Sequence, residues 1–219
     1  MHVLPVINCP DAECAARKIA IIREFLPRGA FVHMDVTDGV WSAHATWNDP
    51  FGWARIGAMF ALEAHLMVER PEEVADDWFT AGARRLVVHA ETIDGAGLSR
   101  LLRLAGQHNG AIMLATAPGD DFAARITPFI ERFGEHLAAF QVLAVHPGAS
   151  GQRFDGADAI ERVTFLRRAA PHATIEVDGG MNPETARLVK AAGADTVVSS
   201  SYLFESGDPR HAYEILAAV

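Results

Sequence analysis

At 219 residues, with 50% hydrophobic and 21% charged residues, the chain has the size and composition of one large α/β domain. Its formal charge of −9, without a Lys- and Arg-rich stretch, argues against a nucleic-acid partner. No apolar run approaches the roughly 20 residues that cross a bilayer, and residues 1–8 lack the basic and apolar regions of a signal peptide. We therefore expect a cytoplasmic protein without a membrane span.

Short β-type runs alternate with longer amphipathic stretches along the chain. The predicted strands are 3–7, 31–36, 61–67, 86–90, 111–115, 140–145, 174–177 and 196–199. The predicted helices are 11–25, 71–81, 98–105, 121–133, 157–169, one opened by 182–184, and one after 209. Strand and helix pairs in this order predict a single-domain (β/α)8 TIM barrel over residues 1–219, with a doubly wound sheet as the alternative.

The second predicted strand places an imidazole and a carboxylate on one face. His33 and Asp35 are two residues apart, and successive side chains of a strand alternate, so the apolar residues around them point the other way. Burying two polar groups without partners costs several kcal/mol. They are either a hydrogen-bonded core pair or ligands of a cation, and this strand alone leaves both open.

Further candidate ligands follow from the rule that barrel enzymes carry their chemistry at the C-terminal ends of the strands. This rule adds His65, from the third strand, and Asp178, after the seventh, to His33 and Asp35. Two imidazoles and two carboxylates suit Zn²⁺, Fe²⁺, Mn²⁺ or Co²⁺ and leave positions for substrate oxygens. The four residues together predict one divalent metal ion.

Turns rich in glycine and serine follow the last three predicted strands. They contain Gly148, Ala149, Ser150 and Gly151, then Gly179 and Gly180, and finally Ser200 and Ser201. Barrels commonly hold a phosphate at these strand ends with backbone N–H groups. One such turn is usually only a turn. Three of them at neighbouring strands predict a phosphate subsite.

Four motifs occur in order along nearly the whole chain: HMDVTDG at 33–39, HLMV at 65–68, VHPGASGQ at 145–152 and VDGGMN at 177–182. They resemble the His-x-Asp-x-Met-Asp-Gly, His-Leu-Met-Val, Val-x-Pro-Gly-Phe-Gly-Gly-Gln and Val-Asp-Gly-Gly-x-Asn patterns of the ribulose-phosphate 3-epimerases. The resemblance implies a barrel of the ribulose-phosphate-binding type and an isomerase of carbohydrate metabolism.

The resemblance also implies roles for the candidate residues. His33, Asp35, His65 and Asp178 would bind the metal, and Asp35 and Asp178 would be the acid–base pair on opposite faces of the sugar. His65 and the glycine and serine turns would contact the substrate and its phosphate. Inverting a carbon next to a carbonyl needs two opposed bases and a cation at the developing enediolate oxygens. The expected reaction converts D-ribulose 5-phosphate to D-xylulose 5-phosphate.

The chain departs from the family pattern around the expected site. Val6 stands for a Ser, Thr37 and Leu143 for methionines, Ala149-Ser150 for Phe-Gly, and Ser200-Ser201 for Gly-Ser. The segment after Gly39 also lacks the family's Phe-Val-Pro-Asn pattern. These changes keep a ketohexose 6-phosphate (allulose-type) 3-epimerase as an alternative that shares the chemistry and changes the sugar.

Two rival functions could use the same barrel. A sugar-phosphate decarboxylase or aldolase would use similar chemistry, but the Asp-x-Lys-x-x-Asp pattern of similar barrel decarboxylases does not occur in the sequence. A barrel that binds a sugar phosphate without turnover would not need two candidate bases. Both rivals therefore rank below an epimerase.

Three tryptophans, Trp41, Trp47 and Trp53, are too many large rings for an ordinary solvated loop. We expect these rings to pack against the barrel's helices, to lie in a subunit interface or to form a lid over the substrate. Because Trp is enriched at interfaces, we expect a homo-oligomer. Cys9 and Cys14 match no metal or redox motif, so we expect reduced thiols.

Three more histidines lie near the expected site. We expect His89 and His146 to be hydrogen-bonded structural residues near strand ends. His44 either reaches the substrate from a loop or is solvated.

Overall fold

The computed structural model describes residues 1–119, 121–148 and 151–219. Within them, parallel strands form a closed barrel in which each strand pairs with its neighbours in sequence and the last strand pairs with the first. The strands are β1 (His2–Ile7), β2 (Phe31–Thr37), β3 (Ala61–Met67), β4 (Ala83–His89), β5 (Ala111–Thr116), β6 (Ala139–Leu143), β7 (Thr174–Asp178) and β8 (Thr196–Ser199). The predicted (β/α)8 barrel is confirmed, and the doubly wound alternative is wrong.

Helices surround the barrel. They are α1 (Ala12–Arg23), α2 (Pro50–Ile56), α3 (Pro71–Thr80), α4 (Gly95–Gln107), α5 (Phe122–Phe133), α6 (Gly156–Ala169), α7 (Pro183–Ala192), α8 (Ser201–Phe204) and α9 (Pro209–Ala217). Of these, α2 and the single turn α8 were not among the helices predicted from the sequence. Among the described residues, no helix is both long and apolar enough to cross a membrane.

The alternation along β2 separates two environments. Val32 and Met34 are buried in the core between the barrel and its helices. His33 and Asp35 are also buried but face the barrel interior, next to β3 and β7 side chains. Burying each large apolar side chain contributes roughly 1.5–3 kcal/mol. The strand therefore anchors to the helices with one face and supplies polar groups to the interior with the other.

The pairing register fixes which interior residues meet. In the β2–β3 pair, Asp35 lies opposite His65. In the β6–β7 pair, Leu143 lies opposite Asp178, which is the last residue of its strand. Both carboxylates therefore reach the same end of the barrel.

The start of α7 follows the predicted cap. The Asn182 side chain accepts hydrogen bonds from the backbone N–H groups of Glu184 and Thr185, and the Thr185 hydroxyl accepts one from Asn182 N–H. Pro183 occupies the first helical position. Such a capping box satisfies otherwise unpaired N–H groups. It fixes where the chain leaves β7, immediately after the turn at Gly179 and Gly180.

Two of the three tryptophans pack into or against the hydrophobic core, and the third packs against a buried histidine. Trp53, on α2, is only 2% exposed and belongs to the core, and Trp47 packs against that core. Trp41 instead lies over the His89 ring, with ring centroids 4.5 Å apart. Phe51, in the same segment, remains 47% exposed. Packing against the barrel's own elements thus covers the three tryptophans at least in part.

The expectation of two free thiols is wrong, because Cys9 and Cys14 form a disulfide. Their Cα atoms are 5.6 Å apart, an ordinary separation for such a bond. The disulfide links the residue after Asn8 to the first turn of α1. The sequence spacing gave no sign of it, since five-residue spacing belongs to no standard redox motif.

Candidate active site

Four of the predicted site residues converge at the C-terminal end of the barrel. His33, Asp35, His65 and Asp178 each direct one ligand atom to a common point, and these atoms all lie within 4.8 Å of one another. The His33 Nε2 atom is 3.2 Å from Asp35 Oδ1 and 3.3 Å from His65 Nδ1, and His65 Nδ1 is 3.3 Å from Asp178 Oδ2. All four side chains are buried. Three different strands therefore deliver two imidazoles and two carboxylates to one place.

The electrostatics of this group favour positive charge. Burial lowers the pKa of His33, but hydrogen bonds to Asp35 and Glu63 outweigh it and leave the pKa well above its ordinary value. Burial likewise lowers the pKa of His65, but contacts with Asp178 and Asp35 raise it overall. Burial raises the pKa of Asp35, but hydrogen bonds from both histidines bring it well below the usual range. Asp35 is therefore ionised at neutral pH, and the cluster attracts a proton or a metal cation.

The remaining nitrogen of His33 has a dedicated partner. Its Nδ1 atom is 2.8 Å from Glu63 Oε1, and the other oxygen of Glu63 pairs with Arg85 Nη2 at 2.7 Å. A carboxylate behind a ligating histidine fixes the ring tautomer and raises the basicity of the opposite nitrogen. This hydrogen bond assigns the ring proton to Nδ1 and leaves the lone pair of Nε2 free to bind a cation.

A second group of buried residues lies below the first. Glu63, Glu176 and His33 Nδ1 also lie within 4.8 Å of one another, and Gln141 Nε2 donates to Glu176 Oε1 at 3.0 Å. Burial and the charge of Glu63 raise the pKa of Glu176 well above its ordinary value, which favours the protonated form of this carboxyl group. A neutral His33 ring carries a proton on one nitrogen, so it can bind a metal ion through only one of its two nitrogens and cannot serve both groups at once. The lower group therefore supports the upper one.

The remaining nitrogen of His65 has a different partner. Its Nε2 atom is 2.8 Å from His89 Nε2, and His89 Nδ1 is 3.3 Å from Glu91 Oε2. Burial lowers the pKa of His89 to about 4, so the ring is neutral and accepts from His65 Nε2–H. The expected hydrogen bonding of His89 is thus present, and its partner is a candidate metal ligand. The Nδ1 lone pair of His65 then points at the cluster.

Asn8 is a residue that the sequence analysis missed. Asn8 directly follows the last residue of β1. Its Nδ2 atom donates to Asp35 Oδ2 at 2.8 Å and to the Gly148 carbonyl at 3.1 Å. Asp35 therefore has one oxygen held by Asn8 and the other turned towards the histidines. No motif marked Asn8; only its place directly after a strand was a signal.

The predicted phosphate residues line the same cavity as the two aspartates. Gly148, Gly151, Gly179, Gly180, Ser200 and Ser201 surround this cavity together with Asp35 and Asp178. His65, also predicted to contact the substrate, is not among the residues that line this cavity; it is fully buried in the cluster with His33 and the two aspartates. Ala149 and Ser150, also predicted to contact phosphate, fall outside the described residues.

The turn after β7 requires glycine. Gly180 has a φ of +68°, and a Cβ there would lie 2.9 Å from the backbone nitrogen of Phe154. At Gly179, with a φ of +113°, a Cβ would lie 2.8 Å from the Val145 side chain. Only glycine adopts such a backbone without strain and allows this close packing. The exposed backbone N–H groups of such a turn are suited to an anion.

Of Val6, Thr37 and Leu143, which differ from the family pattern, two line the cavity and one does not. Val6 and Leu143 line the cavity beside Met67. Thr37 is buried at the end of β2 and is only 1% exposed. Two changed residues therefore lie where they can contact a bound sugar.

The other two histidines near the site are exposed to solvent. His146 lines the cavity, and the His44 ring lies close to Gly148 at its rim.

Comparison with known proteins is consistent with this geometry. The family model described as the ribulose-phosphate 3 epimerase family matches residues 12–204. A ribulose-phosphate 3-epimerase of Chlamydia trachomatis is 32% identical over 216 residues, covering 93% of this chain and 86% of that protein. The one from Mycobacterium bovis is 30% identical over 196 residues, covering 85% and 80%.

Solved structures with the same fold include enzymes of other reactions. A 3-hexulose-6-phosphate synthase has a TM-score of 0.72 at 19% identity, with 100% of this chain and 99% of that chain covered. A 3-keto-L-gulonate-6-phosphate decarboxylase of Vibrio cholerae has a TM-score of 0.72 at 12% identity, with 99% and 95% covered. At such identities the likeness shows the fold alone. The family match decides the class: the chain belongs to the ribulose-phosphate 3-epimerase family and is an epimerase, an isomerase that acts on a carbohydrate.

Proposed function

We propose that the chain is a divalent-metal-dependent 3-epimerase of a ketose phosphate, with D-ribulose 5-phosphate and D-xylulose 5-phosphate as its substrate pair. The observation that carries this proposal is the convergence of Asp35 and Asp178, from strands that are not neighbours in the barrel, on one cavity. Epimerisation next to a carbonyl needs a base on each face of the carbon. Two carboxylates from β2 and β7 meet that need.

The donor set fits one divalent cation such as Zn²⁺, Fe²⁺, Mn²⁺ or Co²⁺. Two imidazole nitrogens and two carboxylate oxygens face one point, and each imidazole has its other nitrogen occupied by a hydrogen bond. When bound, the cation would offset negative charge that develops on the substrate oxygens. His33, Asp35, His65 and Asp178 are the proposed ligands.

The two aspartates are the proposed acid–base pair. Asp35 is ionised because its histidine contacts outweigh burial, and Asn8 fixes its orientation. One carboxylate removes the C3 proton, and the other, in its protonated form, returns one to the opposite face. The glycine turns and Ser200 and Ser201, which line the same cavity, are the proposed phosphate contacts.

Turnover in D₂O tests the two-base scheme. Because the proton removed by one carboxylate is not the one delivered by the other, the product should carry deuterium at C3. Asp35→Asn and Asp178→Asn should each nearly abolish turnover, and bound metal measured in each variant separates loss of a base from loss of the ion. Product without deuterium, or a metal-replete variant with a near-normal rate, would refute the scheme.

The second candidate keeps the reaction and changes the sugar. Leu143 and Val6 line the cavity at positions where the family resemblance implies Met and Ser, so the wall around the sugar differs. A ketohexose 6-phosphate is the alternative substrate. Rates on a panel of ketose 5- and 6-phosphates, compared as kcat/KM, decide between the two sugars.

Two further parts of the proposal concern the whole protein. We propose a homo-oligomer located in the cytoplasm. The exposed Phe51 beside the tryptophan segment supports an interface there, and sedimentation as a strict monomer would contradict it.

A further inference from the structure

A lysine lies directly behind the proposed phosphate subsite. Lys18, on α1, donates from Nζ to the Asn8 carbonyl at 3.1 Å and to the Ser200 hydroxyl oxygen at 3.2 Å. The ammonium also lies over the Phe204 ring, 4.7 Å from its centroid. Lys18 does not itself line the cavity that carries the carboxylates of Asp35 and Asp178; it reaches that cavity through Ser200, which does.

This ammonium group is held by neutral groups. Among the described residues, no carboxylate lies within 4.0 Å of Lys18 Nζ, although Asp35 and Glu205 act on it from further away. Burial lowers the pKa of Lys18, and those two charges offset the effect only in part. A half-buried cation without a close anion gains more from a nearby negative ligand than a solvated one does.

Ser200 connects the lysine to the cavity. Ser200 is one of the residues that line the cavity, together with Gly179 and Gly180. Its Oγ accepts from Lys18, and its own proton points to the Val6 carbonyl at 3.4 Å, a long contact. The hydroxyl can therefore turn towards a better acceptor in the cavity without losing the lysine.

We infer that Lys18 and Ser200 form a charge-assisted donor pair for the phosphate end of the substrate. Ser200 O–H donates to a phosphate oxygen while Lys18 N–H donates to Ser200 Oγ, so the positive charge strengthens the contact through the hydroxyl. A glycine at position 200, as the family resemblance implies, could not make this link. Lys18 is a positioning residue, and Ser200 is the residue that contacts the ligand. The inference rests on the proposed function, which supplies the phosphate ester.

The test measures binding of inorganic phosphate to the metal-loaded protein by calorimetry at neutral pH. Lys18→Met and Ser200→Ala should each weaken phosphate binding about tenfold. Because both act through one contact, the double variant should bind about as weakly as either single variant. Lys190→Met is the matched control, since Lys190 is the only other lysine and contacts the Val219 carbonyl far from the cavity.

Two further readouts separate positioning from a structural role. Lys18→Met should raise KM for the ketose phosphate with little change in kcat, and its affinity for the metal should equal that of the wild type. Unchanged phosphate affinity in Lys18→Met, additive effects in the double variant, or parallel loss of metal affinity would each overturn the inference. If the wild type itself binds no inorganic phosphate, the phosphate-ester substrate of the proposed function fails with it. If the wild type binds inorganic phosphate and Lys18→Met binds it equally well, the proposed role of Lys18 fails and the proposed function is unaffected.

Discussion

Glu63 gives the sharpest test of how the barrel interior prepares His33 for a cation. Its Oε1 atom accepts from His33 Nδ1 at 2.8 Å, and its other oxygen pairs with Arg85. Glu63→Gln keeps an acceptor oxygen but removes the charge, and a hydrogen bond to a neutral acceptor is about half as strong as one to a carboxylate. Changes to such outer partners cost about 10–100-fold in metal affinity. We expect about tenfold for Glu63→Gln and about 100-fold for Glu63→Leu, which removes the acceptor as well.

Competition between the protein and a chelator for Co²⁺ measures these affinities, and the visible spectrum of the bound ion reports its coordination. Glu73→Gln is the matched control, because Glu73 pairs with Arg70 at the surface of α3. Denaturant unfolding of each metal-free variant measures stability separately, since Arg85 loses an ionic partner. A Glu63→Gln protein that binds Co²⁺ as tightly as the wild type would show that the carboxylate does not tune His33.

Two more predictions concern stability and backbone shape. Between pH 4 and 6.5, His89 is protonated in the unfolded chain but not in the folded one, so the free energy of unfolding increases with pH over this range, by up to about 3 kcal/mol from this residue. Urea unfolding of the metal-free protein at pH 4.5 and 6.5 should show a smaller increase for His89→Gln than for the wild type. Equal increases in the two proteins would contradict this prediction. Gly180→Ala should destabilise the protein by about 2 kcal/mol or more and raise KM for the ketose phosphate, because its Cβ meets the Phe154 backbone. Gly29→Ala, with a φ of +81° and no atom within 4 Å of its added Cβ, should cost only about 1 kcal/mol and leave KM unchanged.

Strand periodicity also predicts the buried glutamates that lie next to the four candidate metal ligands. The two-residue spacing that puts His33 and Asp35 on one face also relates Glu63 to His65 and Glu176 to Asp178. Each of these glutamates is buried inside the barrel, beneath the cluster of His33, Asp35, His65 and Asp178. The signal was therefore present, and applying the same alternation to all three strands would have found the supporting carboxylates.

Short elements were harder to predict from the sequence. The helix α2 has an Asp49 cap and Pro50 at its first position, but it has only seven residues and includes Gly52. Local preferences in so short a helix are weak, and the burial of Trp53 against the core stabilises it instead. The Cys9–Cys14 disulfide likewise depends on the geometry at the end of β1.

By itself the sequence determined the order of strands and helices, the inward face of β2, and the residues at strand ends, because these follow from local periodicity and chain direction. Only the tertiary structure decided which distant residues meet. Lys18 and Ser200 are 182 residues apart, and they touch because β8 pairs with β1 and closes the barrel. Asn8 reaches Asp35 and Gly148 for the same reason: neighbouring positions at the barrel end come from remote parts of the chain. Such contacts depend on closure and register, which no local pattern encodes.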